Sequence, residues 1–356
     1  MQKKIESEIH RIHPYPCKFP SQVVKQFLGK NKIILDPFCG SGTTLVEAAI
    51  NGSTSIGVDC NPIAILISKC KLTNLSGNEL NEVSNTIEIL TKSINKDFSD
   101  YQLHNFEGKD HWFKLEVQNE IAFILSLINK WKRDTPLWIV KSTALSSITN
   151  TISYQDSETR YARREKSIQN GQVIDLFIKK LTQITKAIID RGEIISKSHK
   201  LIQANITKDN VIEDKSIDIV ITSPPYANTM DYYLYHKQRM NLLGYSFKET
   251  LDNEIGSRHE FSSKKADVSK WNNDFRLFMS EIYRVLKKNS KAIIVLGDSQ
   301  INGKLISGAK ITENLALEIG FKYNLLESIS MTGKSKLFNS SFQRPNKFEH
   351  TIELTK

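Results

Sequence analysis

Short runs of apolar, mostly β-branched residues recur along this 356-residue chain and alternate with segments of helical periodicity. Such short runs are typical of buried parallel strands, whereas apolar residues at three-to-four spacing predict helices. Strands are predicted at Ile33–Leu35, Ser55–Val58, Leu201–Gln203, Ile217–Ile221 and Ala292–Leu296, with an antiparallel edge pair at Phe321–Ile329 and His350–Leu354. Helices are predicted near 21–29 and at Leu45–Ala49, Asp274–Leu286 and Ile311–Ile319. The alternation predicts an α/β fold around a largely parallel sheet.

A long helical stretch separates the second and third predicted strands. Residues 62–200 are far more than one crossover helix needs. Helical periodicity recurs in it at Asn78–Ile94, Val117–Trp131 and Val173–Arg191. We therefore predict a catalytic core made of residues 1–61 and 201–356, with residues 62–200 as an inserted helical subdomain that serves target recognition.

A glycine-containing loop follows the first predicted strand. It reads Asp36-Pro37-Phe38-Cys39-Gly40-Ser41-Gly42-Thr43-Thr44, and its two glycines permit backbone conformations that a side chain would forbid. The loop leads into a helix N-terminus, and Asp59 ends the next strand at close to the ~20-residue spacing of an acid that binds ribose hydroxyls. The acid Asp36 favours a cationic ligand over a pyrophosphate. The combination matches S-adenosyl-L-methionine, which carries an ammonium, a sulfonium and a ribose; a structural acid that caps the strand end is the alternative.

The strand at Ile217–Ile221 ends in the stretch Thr222-Ser223-Pro224-Pro225-Tyr226. Two consecutive prolines cannot continue a sheet, because proline lacks an N–H and fixes φ near about −65°. The chain must leave the sheet there, which brings a hydroxyl, carbonyls outside the ladder and an aromatic ring together at the carboxyl end of a strand. Such a site suits a flat ring that bears an amine; a strand that merely ends in a Pro-Pro turn is the alternative.

Three motifs occur in a fixed order: HPYPCKFP at residues 13–20, DPFCGSGTT at 36–44 and TSPPY at 222–226. Together they resemble the exocyclic-amino (N4-cytosine/N6-adenine) DNA methyltransferases of bacterial restriction–modification systems. The resemblance is good over about residues 10–60 and 200–300 and poor between them. It implies a seven-stranded Rossmann-like, S-adenosylmethionine-dependent methyltransferase core. TSPPY is most similar to the N4-cytosine group, whereas the N6-adenine enzymes usually carry an acid or Asn before the prolines.

The resemblance also implies roles for individual residues. Those that it places around the cofactor are His13, Tyr15, Lys18, Phe19, Asp36, Pro37, Phe38, Gly40, Gly42, Thr43, Asp59, Asn61 and Asn205. Asp36 and its loop would line the methionine half, Asp59 would hold the ribose, and Asn61 would lie near the adenine. Many relatives carry an acid where this chain has Asn205.

The catalytic residues that the resemblance implies are Ser223, Pro224, Pro225 and Tyr226. The Ser223 hydroxyl and the Pro224 carbonyl would accept hydrogen bonds from the exocyclic amine of the target. Tyr226 would stack on that base, which must be flipped out of the duplex before its amine can be reached.

The charge balance favours a polyanionic partner. Lys and Arg total 49 against 39 acidic residues, which gives a net charge of +10. Basic residues suited to phosphate contact occur at Arg163 and Arg164 in the inserted region and, interleaved with phenylalanines, at Lys334, Lys336 and Arg344 near the C-terminus. We expect these residues to contact double-stranded DNA; a solvated face or a flexible loop is the alternative for either segment.

Other chemistries and locations fit the sequence less well. Pro16-Cys17 matches the nucleophile dipeptide of the C5-cytosine methyltransferases, but it precedes the first predicted strand instead of following the fourth. The eight histidines are scattered and the four cysteines form no C-x-x-C pair, so no metal site is expected. No apolar stretch reaches membrane-spanning length and the N-terminus lacks a secretory h-region, so we expect a cytoplasmic protein.

The sequence therefore predicts an enzyme that transfers a methyl group from S-adenosyl-L-methionine to the N4 amine of a flipped cytosine in duplex DNA. It would be the modification enzyme of a restriction–modification system, and an endonuclease acting on the same site is a candidate partner. N6-adenine methylation is the main alternative, with RNA base methylation or a catalytically silent DNA-binding subunit more remote. No pattern distinguishes a monomer from a dimer or specifies the recognition sequence.

Overall fold

A computed structural model describes residues 7–94, 96–158, 160–194, 198–262, 266–301, 303–331 and 347–356. The chain divides into two compact units. A helical unit comprises Met1–Cys17, Leu66–Ser196 and Leu234–Phe247, and a sheet unit comprises Lys18–Ile65, Lys197–Tyr233 and Lys248–Lys356. The helical unit differs from the predicted insert of residues 62–200, because it also includes residues 1–17 and 234–247, whereas residues 62–65 and 197–200 belong to the sheet unit. The role of residues 62–200 in target recognition stays a prediction.

The described chain contains both strands and helices, with long runs of consecutive helices between β2 and β3 and between β6 and β7. The strands are β1 (Ile33–Asp36), β2 (Thr54–Asp59), β3 (Gln155–Ser157), β4 (Arg160–Arg163), β5 (His199–Gln203), β6 (Ile217–Thr222), β7 (Leu286–Gly297), β8 (Ser299–Ile301), β9 (Lys304–Ile306), β10 (Lys322–Ser330) and β11 (Phe348–Thr355). The helices are α1 (Ser21–Phe27), α2 (Thr43–Ile50), α3 (Pro62–Leu72), α4 (Gly77–Thr91), α5 (Lys109–Trp112), α6 (Leu115–Ile128), α7 (Pro136–Ile152), α8 (Gln172–Arg191), α9 (Tyr232–Leu242), α10 (Phe247–Asn253), α11 (Arg258–Ser262), α12 (Val268–Val285) and α13 (Gly308–Ile319), preceded by a 3-10 turn at Glu8–Arg11. Among the described helices, none has the length and apolar character that crossing a membrane requires.

Seven strands form one sheet in the order β10-β11-β7-β6-β1-β2-β5. The five strands from β7 to β5 are parallel, whereas β11 runs antiparallel to both β7 and β10. The chain order reverses between β1 and β6, and open α/β sheets bind ligands outside the carboxyl ends of the strands at such a switch point. The predicted α/β fold class with its seven-stranded sheet is confirmed.

Alternate residues of the parallel strands are buried on opposite faces of the sheet. One cluster contains Leu35, Val220, Ala292 and Ile294 together with Trp271, Phe275, Phe278 and Ile282 of α12. The other contains Ile34, Ile219, Ile221 and Ile293 together with Val24 of α1 and Ala48 of α2. A sheet covered on both faces selects continuous β-branched runs, which is why these strands can be recognised in the sequence.

Phe278 of α12 is 1% exposed, and its ring centroid lies 5.0 Å from that of Phe38 in the glycine loop. Removing the ring leaves a cavity against that loop, so we expect Phe278→Ala to lower the free energy of unfolding by about 3–5 kcal/mol. The neighbouring Leu277 is 50% exposed, and Leu277→Ala is expected to change stability by no more than about 0.5 kcal/mol. Urea denaturation measures both; equal losses would contradict this packing.

The sequence patterns miss several elements of the described chain, including α3, α7, α9 and the β3–β4 hairpin. α7 is buried on nearly all sides, and α9 buries His236, Gln238 and Arg239 in addition to its apolar residues, so neither helix shows an amphipathic period. Arg239 attaches α9 within the helical unit by donating to the Ser146 carbonyl at 2.9 Å and to Glu158 at 2.5 Å. Buried polar side chains thus form part of the interior of the helical unit.

Candidate cofactor and target-base site

Asp36 ends β1 and lies next to the end of β6. Its Oδ1 accepts hydrogen bonds from the Thr222 hydroxyl at 2.7 Å and from the backbone N–H of Phe38 at 3.2 Å. Burial raises the pKa of the Asp36 carboxyl to about 6, although hydrogen bonds from Thr222 and Thr44 oppose the rise. Thr222 directly precedes Ser223, so this hydrogen bond joins the glycine loop to the predicted catalytic stretch.

Asp59, at the end of β2, holds the glycine loop. Its Oδ2 accepts the backbone N–H of Gly40 at 2.9 Å, and its Oδ1 accepts that of Asn61 at 2.8 Å. Gly40 and Gly42 have φ angles of 48° and 77°, in the left-handed region, and Gly42 precedes Thr43, the first residue of α2. Each carboxylate oxygen has a further acceptor site, so these bonds are compatible with the ribose role predicted for Asp59, which stays a prediction.

The electrostatics of the two acids fit a cationic ligand. Burial raises the pKa of the Asp59 carboxyl to about 6, against the opposing hydrogen bonds from Asn61 and Gly40. Within the described ranges, neither Asp36 nor Asp59 forms an ion pair. A nearby positive charge favours the ionised form of a buried carboxyl, so a cationic ligand would bind here and lower both pKa values. This donor set fits the ammonium and sulfonium of S-adenosyl-L-methionine.

Two asparagines are predicted to lie near the adenine of the cofactor. They differ in which side-chain amide groups have a hydrogen-bond partner among the described residues. Asn61 is 2% exposed; its Oδ1 accepts the N–H of Ile63, and its Nδ2 has no partner among the described residues. A buried donor without an acceptor is destabilising, so the Asn61 amide fits a ligand contact. Asn205 uses its Oδ1 for Thr207 and donates to the Asn253 carbonyl, which leaves it one amide hydrogen. Both adenine assignments stay predictions.

Glu254 is a buried acid in the sheet unit that no sequence motif indicates. Its two carboxyl oxygens accept the backbone N–H groups of Tyr232 and Tyr233 at 2.7 and 2.8 Å, at the start of α9. Burial raises the pKa of this carboxyl to about 8, and the charges of Asp231 and Asp59 contribute to the rise. Only the fold shows that a third acid shares the electrostatic environment of Asp59.

The predicted catalytic stretch leaves the sheet at the carboxyl end of β6. Ser223 is half-buried, and its hydroxyl forms no hydrogen bond with any described residue. The Pro224 carbonyl lies beyond the last strand residue. Asn228, with a φ of 54°, fixes the following turn by donating its Nδ2 to the Gln300 carbonyl at 2.8 Å and its backbone N–H to the Gly256 carbonyl at 2.9 Å. A fixed turn therefore presents the Ser223 hydroxyl with its hydrogen-bonding capacity unused.

Pro225 and Tyr226 complete this stretch, and both are half-buried. The Tyr226 hydroxyl donates a hydrogen bond to Oε1 of Glu349 on β11 at 3.0 Å. Glu349 has no sequence signature, because it is brought to the stretch only by the pairing of β11 with β7.

The HPYPCKFP loop divides between the two units. In the helical unit, His13 is buried with its Nε2 2.9 Å from a serine hydroxyl of α7, and Tyr15 stacks on His236 with ring centroids 5.2 Å apart. In the sheet unit, Phe19 packs against the cluster on the α1 face of the sheet, and Lys18 is half-buried. The cofactor contacts proposed for these four loop residues stay predictions.

The structure describes two of the five basic residues predicted to contact DNA. Arg163 lies over the Tyr154 ring at 4.6 Å and donates its Nε to the His111 carbonyl, so contacts within the helical unit already hold it. The Arg164 side chain is 74% exposed and lies 3.7 Å from Asp156. Lys334, Lys336 and Arg344 lie outside the described residues.

Because Arg164 is exposed, we expect Arg164→Glu to weaken binding to duplex DNA of any sequence and to reduce the slope of log affinity against log salt by about 1. Lys179→Glu on α8 is the matched control, since the Lys179 side chain is 70% exposed and pairs with Asp175. Fluorescence anisotropy of a labelled duplex at several salt concentrations measures both slopes. Equal changes in the two variants would show that the β3–β4 hairpin does not face the DNA.

Known sequences place the chain in a family. Residues 2–70 and 217–356 match the N6/N4 DNA methylase family, and the chain belongs to this family of DNA methylases. The loops that contain Asp36 and Ser223 both fall within the matched segments. The resemblance recognised in the sequence is confirmed, and with it S-adenosyl-L-methionine as the cofactor.

Several relatives are type II methyltransferases. M.MvaI of Kocuria varians is 29% identical over 248 residues, which cover 64% of this chain and 55% of that protein. M.MjaII of Methanocaldococcus jannaschii is 24% identical over 395 aligned positions, which cover 84% of this chain and 74% of that protein. M.BsoBI of Geobacillus stearothermophilus is 29% identical over 287 residues, covering 70% of this chain and 55% of that protein. The chain therefore spans about half the length of M.MvaI and of M.BsoBI.

Proposed function

We propose that this chain is the modification methyltransferase of a type II restriction–modification system and that it methylates the N4 amine of cytosine in double-stranded DNA. Membership in the DNA methylase family and similarity to type II methyltransferases support the substrate class. Ser223 at the start of the Ser-Pro-Pro-Tyr stretch supports cytosine, since the N6-adenine enzymes usually carry an acid or Asn at that position. A cognate restriction endonuclease that acts on the same site is part of this proposal.

The unused hydrogen-bonding capacity of the Ser223 hydroxyl is the observation that carries the proposal. This hydroxyl follows directly on Thr222, whose own hydroxyl binds Asp36 at 2.7 Å. Asp36 is one of the two buried carboxyls that suit the cationic cofactor. The Ser223 hydroxyl, which can accept a hydrogen bond from an amine, therefore follows the carboxyl end of β6. The proposed site of the methyl donor lies beside it, at the carboxyl end of the adjacent strand β1.

S-adenosyl-L-methionine, when bound, supplies a methyl group on a positively charged sulfur. The Ser223 hydroxyl and the Pro224 carbonyl would accept hydrogen bonds from the target amine, and these bonds would strengthen as positive charge develops on its nitrogen. That nitrogen would gain the methyl group as the sulfur–methyl bond breaks, and it would then lose a proton to solvent. Tyr226 stacks on the base after it has left the duplex. The negative charge of the Asp36 carboxylate would attract the cationic methyl donor. No covalent nucleophile is required.

Transfer of tritium from labelled S-adenosyl-L-methionine to unmethylated bacteriophage DNA tests this function. We expect label in the DNA, and we expect Ser223→Ala to lower kcat about tenfold with a smaller change in the KM for DNA, because the lost bond matters most as charge develops. Ser216→Ala is the control, since Ser216 precedes the amino end of β6 and its hydroxyl donates to the Glu213 carbonyl. A lack of label in the DNA, or equal kcat values for the two variants, would contradict the proposal.

A further inference from the structure

Gly297 and Glu349 lie directly opposite each other in the antiparallel β7–β11 pair. Opposite residues of such a pair project to the same face of the sheet. On this face Gly297 leaves room for an aromatic ring, because a Cβ built there would lie 2.5 Å from Cε2 and 2.8 Å from Cδ2 of Tyr226. The φ of Gly297 is not positive, so its backbone would accept alanine. Among the described residues, the Tyr226 ring is the neighbour that an added Cβ would approach within 3.0 Å, so the ring favours glycine at this position.

Glu349 binds the same ring at its hydroxyl end. The Tyr226 hydroxyl donates to Oε1 of Glu349 at 3.0 Å, so one member of the strand pair leaves space for the ring and the other binds its polar tip. Tyr226 remains half-buried, and part of its surface stays exposed. The contacts therefore fix the ring without enclosing it.

Asp298 fixes the position of Glu349 on β11. Its Oδ2 accepts the N–H of Phe348 at 2.9 Å and its Oδ1 lies 2.9 Å from Nε2 of His350, so it binds both sequence neighbours of Glu349. The Asp298 N–H also donates to the Phe348 carbonyl at 2.8 Å. Asp298 and His350 are both buried, and their bonds maintain the register that sets Glu349 against Tyr226.

We propose that Gly297 and Glu349 form a positioning site for Tyr226 that orients the ring before the target base arrives. A tyrosine on a turn would otherwise lose rotamer freedom when the base stacks on it, and a ring fixed in advance avoids that loss. The proposal rests on the proposed function, because it specifies how the ring that receives the target base is oriented. Glu349 acts through Tyr226 and is a positioning residue, and the tyrosine hydroxyl has a role that phenylalanine cannot supply.

A double-mutant cycle on the full-length chain tests the positioning site. With unmethylated bacteriophage DNA as substrate, we expect Glu349→Gln and Tyr226→Phe each to lower kcat/KM about 3- to 10-fold, with unchanged affinity for S-adenosyl-L-methionine. The double variant should lose no more than Tyr226→Phe alone, because the loss of charge in Glu349→Gln acts only through the hydroxyl that Tyr226→Phe removes. If Glu349→Gln lowered kcat/KM by the same factor in the unsubstituted chain and in Tyr226→Phe, the proposal would be overturned.

Glu353→Gln is the matched control for the carboxylate. Glu353 lies on the same face of β11, and its Oε2 binds Lys291 at 2.9 Å, away from Tyr226. The control is expected to keep its kcat/KM. A loss in Glu349→Gln no larger than that in Glu353→Gln would overturn the proposal.

Thermal unfolding in the absence of DNA tests the same contact independently of methylation. Gly297→Ala should lower the midpoint in the unsubstituted chain and have little effect in a Tyr226→Ala background, whereas Gly77→Ala, whose added Cβ meets no atom within 4 Å, should have little effect in both. An equal loss from Gly297→Ala in both backgrounds would overturn the positioning site. If the unsubstituted protein methylates no DNA, the proposed function fails, and the unfolding comparison still decides whether Gly297 serves Tyr226.

Discussion

Tyr226→Ala is expected to remove most methyl transfer and to leave the affinity for S-adenosyl-L-methionine unchanged. The change deletes the ring that stacks on the flipped base, and such stacking contributes about 1–3 kcal/mol per base, which corresponds to a loss in kcat/KM of about 5- to 150-fold. Cofactor affinity should persist because Asp36 and Asp59 are untouched. Tritium transfer measures the first quantity, and titration calorimetry measures the second.

Tyr226→Phe is the control that separates stacking from the hydroxyl contact. It keeps the ring and loses only the bond to Glu349, so it should retain more activity than Tyr226→Ala. Equal losses in the two variants would show that stacking is not the contribution of the ring. A parallel loss of cofactor affinity in Tyr226→Ala would contradict the assignment of this residue to the target base.

The affinity for S-adenosyl-L-methionine is expected to increase as the pH rises through about 6. Burial raises the pKa of both Asp36 and Asp59 to about 6, so both carboxyls are mostly protonated at pH 5 and mostly ionised at pH 7.5. The cationic ligand binds the ionised forms, and each carboxyl that must first lose a proton weakens binding by about tenfold per pH unit below its pKa. The dissociation constant should therefore rise at least about tenfold from pH 7.5 to pH 5, and binding near pH 6 should release protons.

Asp59→Asn tests the origin of this pH dependence. The variant should weaken binding at pH 7.5 by about 1–3 kcal/mol, because the ribose hydroxyls lose a charged acceptor, and it should flatten the pH profile. Asp218→Asn is the control: Asp218 lies near the amino end of β6 and binds Lys287 at 2.8 Å. Calorimetry in buffers with different ionisation enthalpies measures affinity and proton release together. A flat profile in the unsubstituted protein would remove both acids from the cofactor site, and the same profile in Asp59→Asn would remove Asp59 from it.

The parallel sheet could be predicted from the sequence because its strands are covered on both faces. Runs such as Ile219–Ile221 and Ala292–Leu296 are continuously apolar, which is what burial on both faces requires. The loops at their carboxyl ends carry glycines, prolines and acids whose backbone and charge requirements are local. The α/β fold class and the two loops that contain Asp36 and Ser223 were therefore accessible from sequence alone.

The remaining features depend on contacts between distant residues. Gly297 and Glu349 meet Tyr226 only because β11 pairs with β7 in one register, and neither residue has a local signature. Glu254 binds backbone N–H groups at the start of α9 that lie 22 and 21 residues earlier in the sequence. The residues next to it in the sequence do not indicate a buried acid. α7 could not be recognised by periodicity because it is buried on nearly all sides.

The identity of the methylated base tests the central claim most directly. Unmethylated duplex DNA is incubated with the unsubstituted protein and S-adenosyl-L-methionine, digested to nucleosides and analysed by mass spectrometry. Ser223→Ala, treated in parallel, identifies any product formed by a contaminating enzyme. We predict N4-methylcytosine that decreases in the variant. N6-methyladenine as the product would contradict the assignment to cytosine, and 5-methylcytosine would contradict a mechanism that acts on an exocyclic amine.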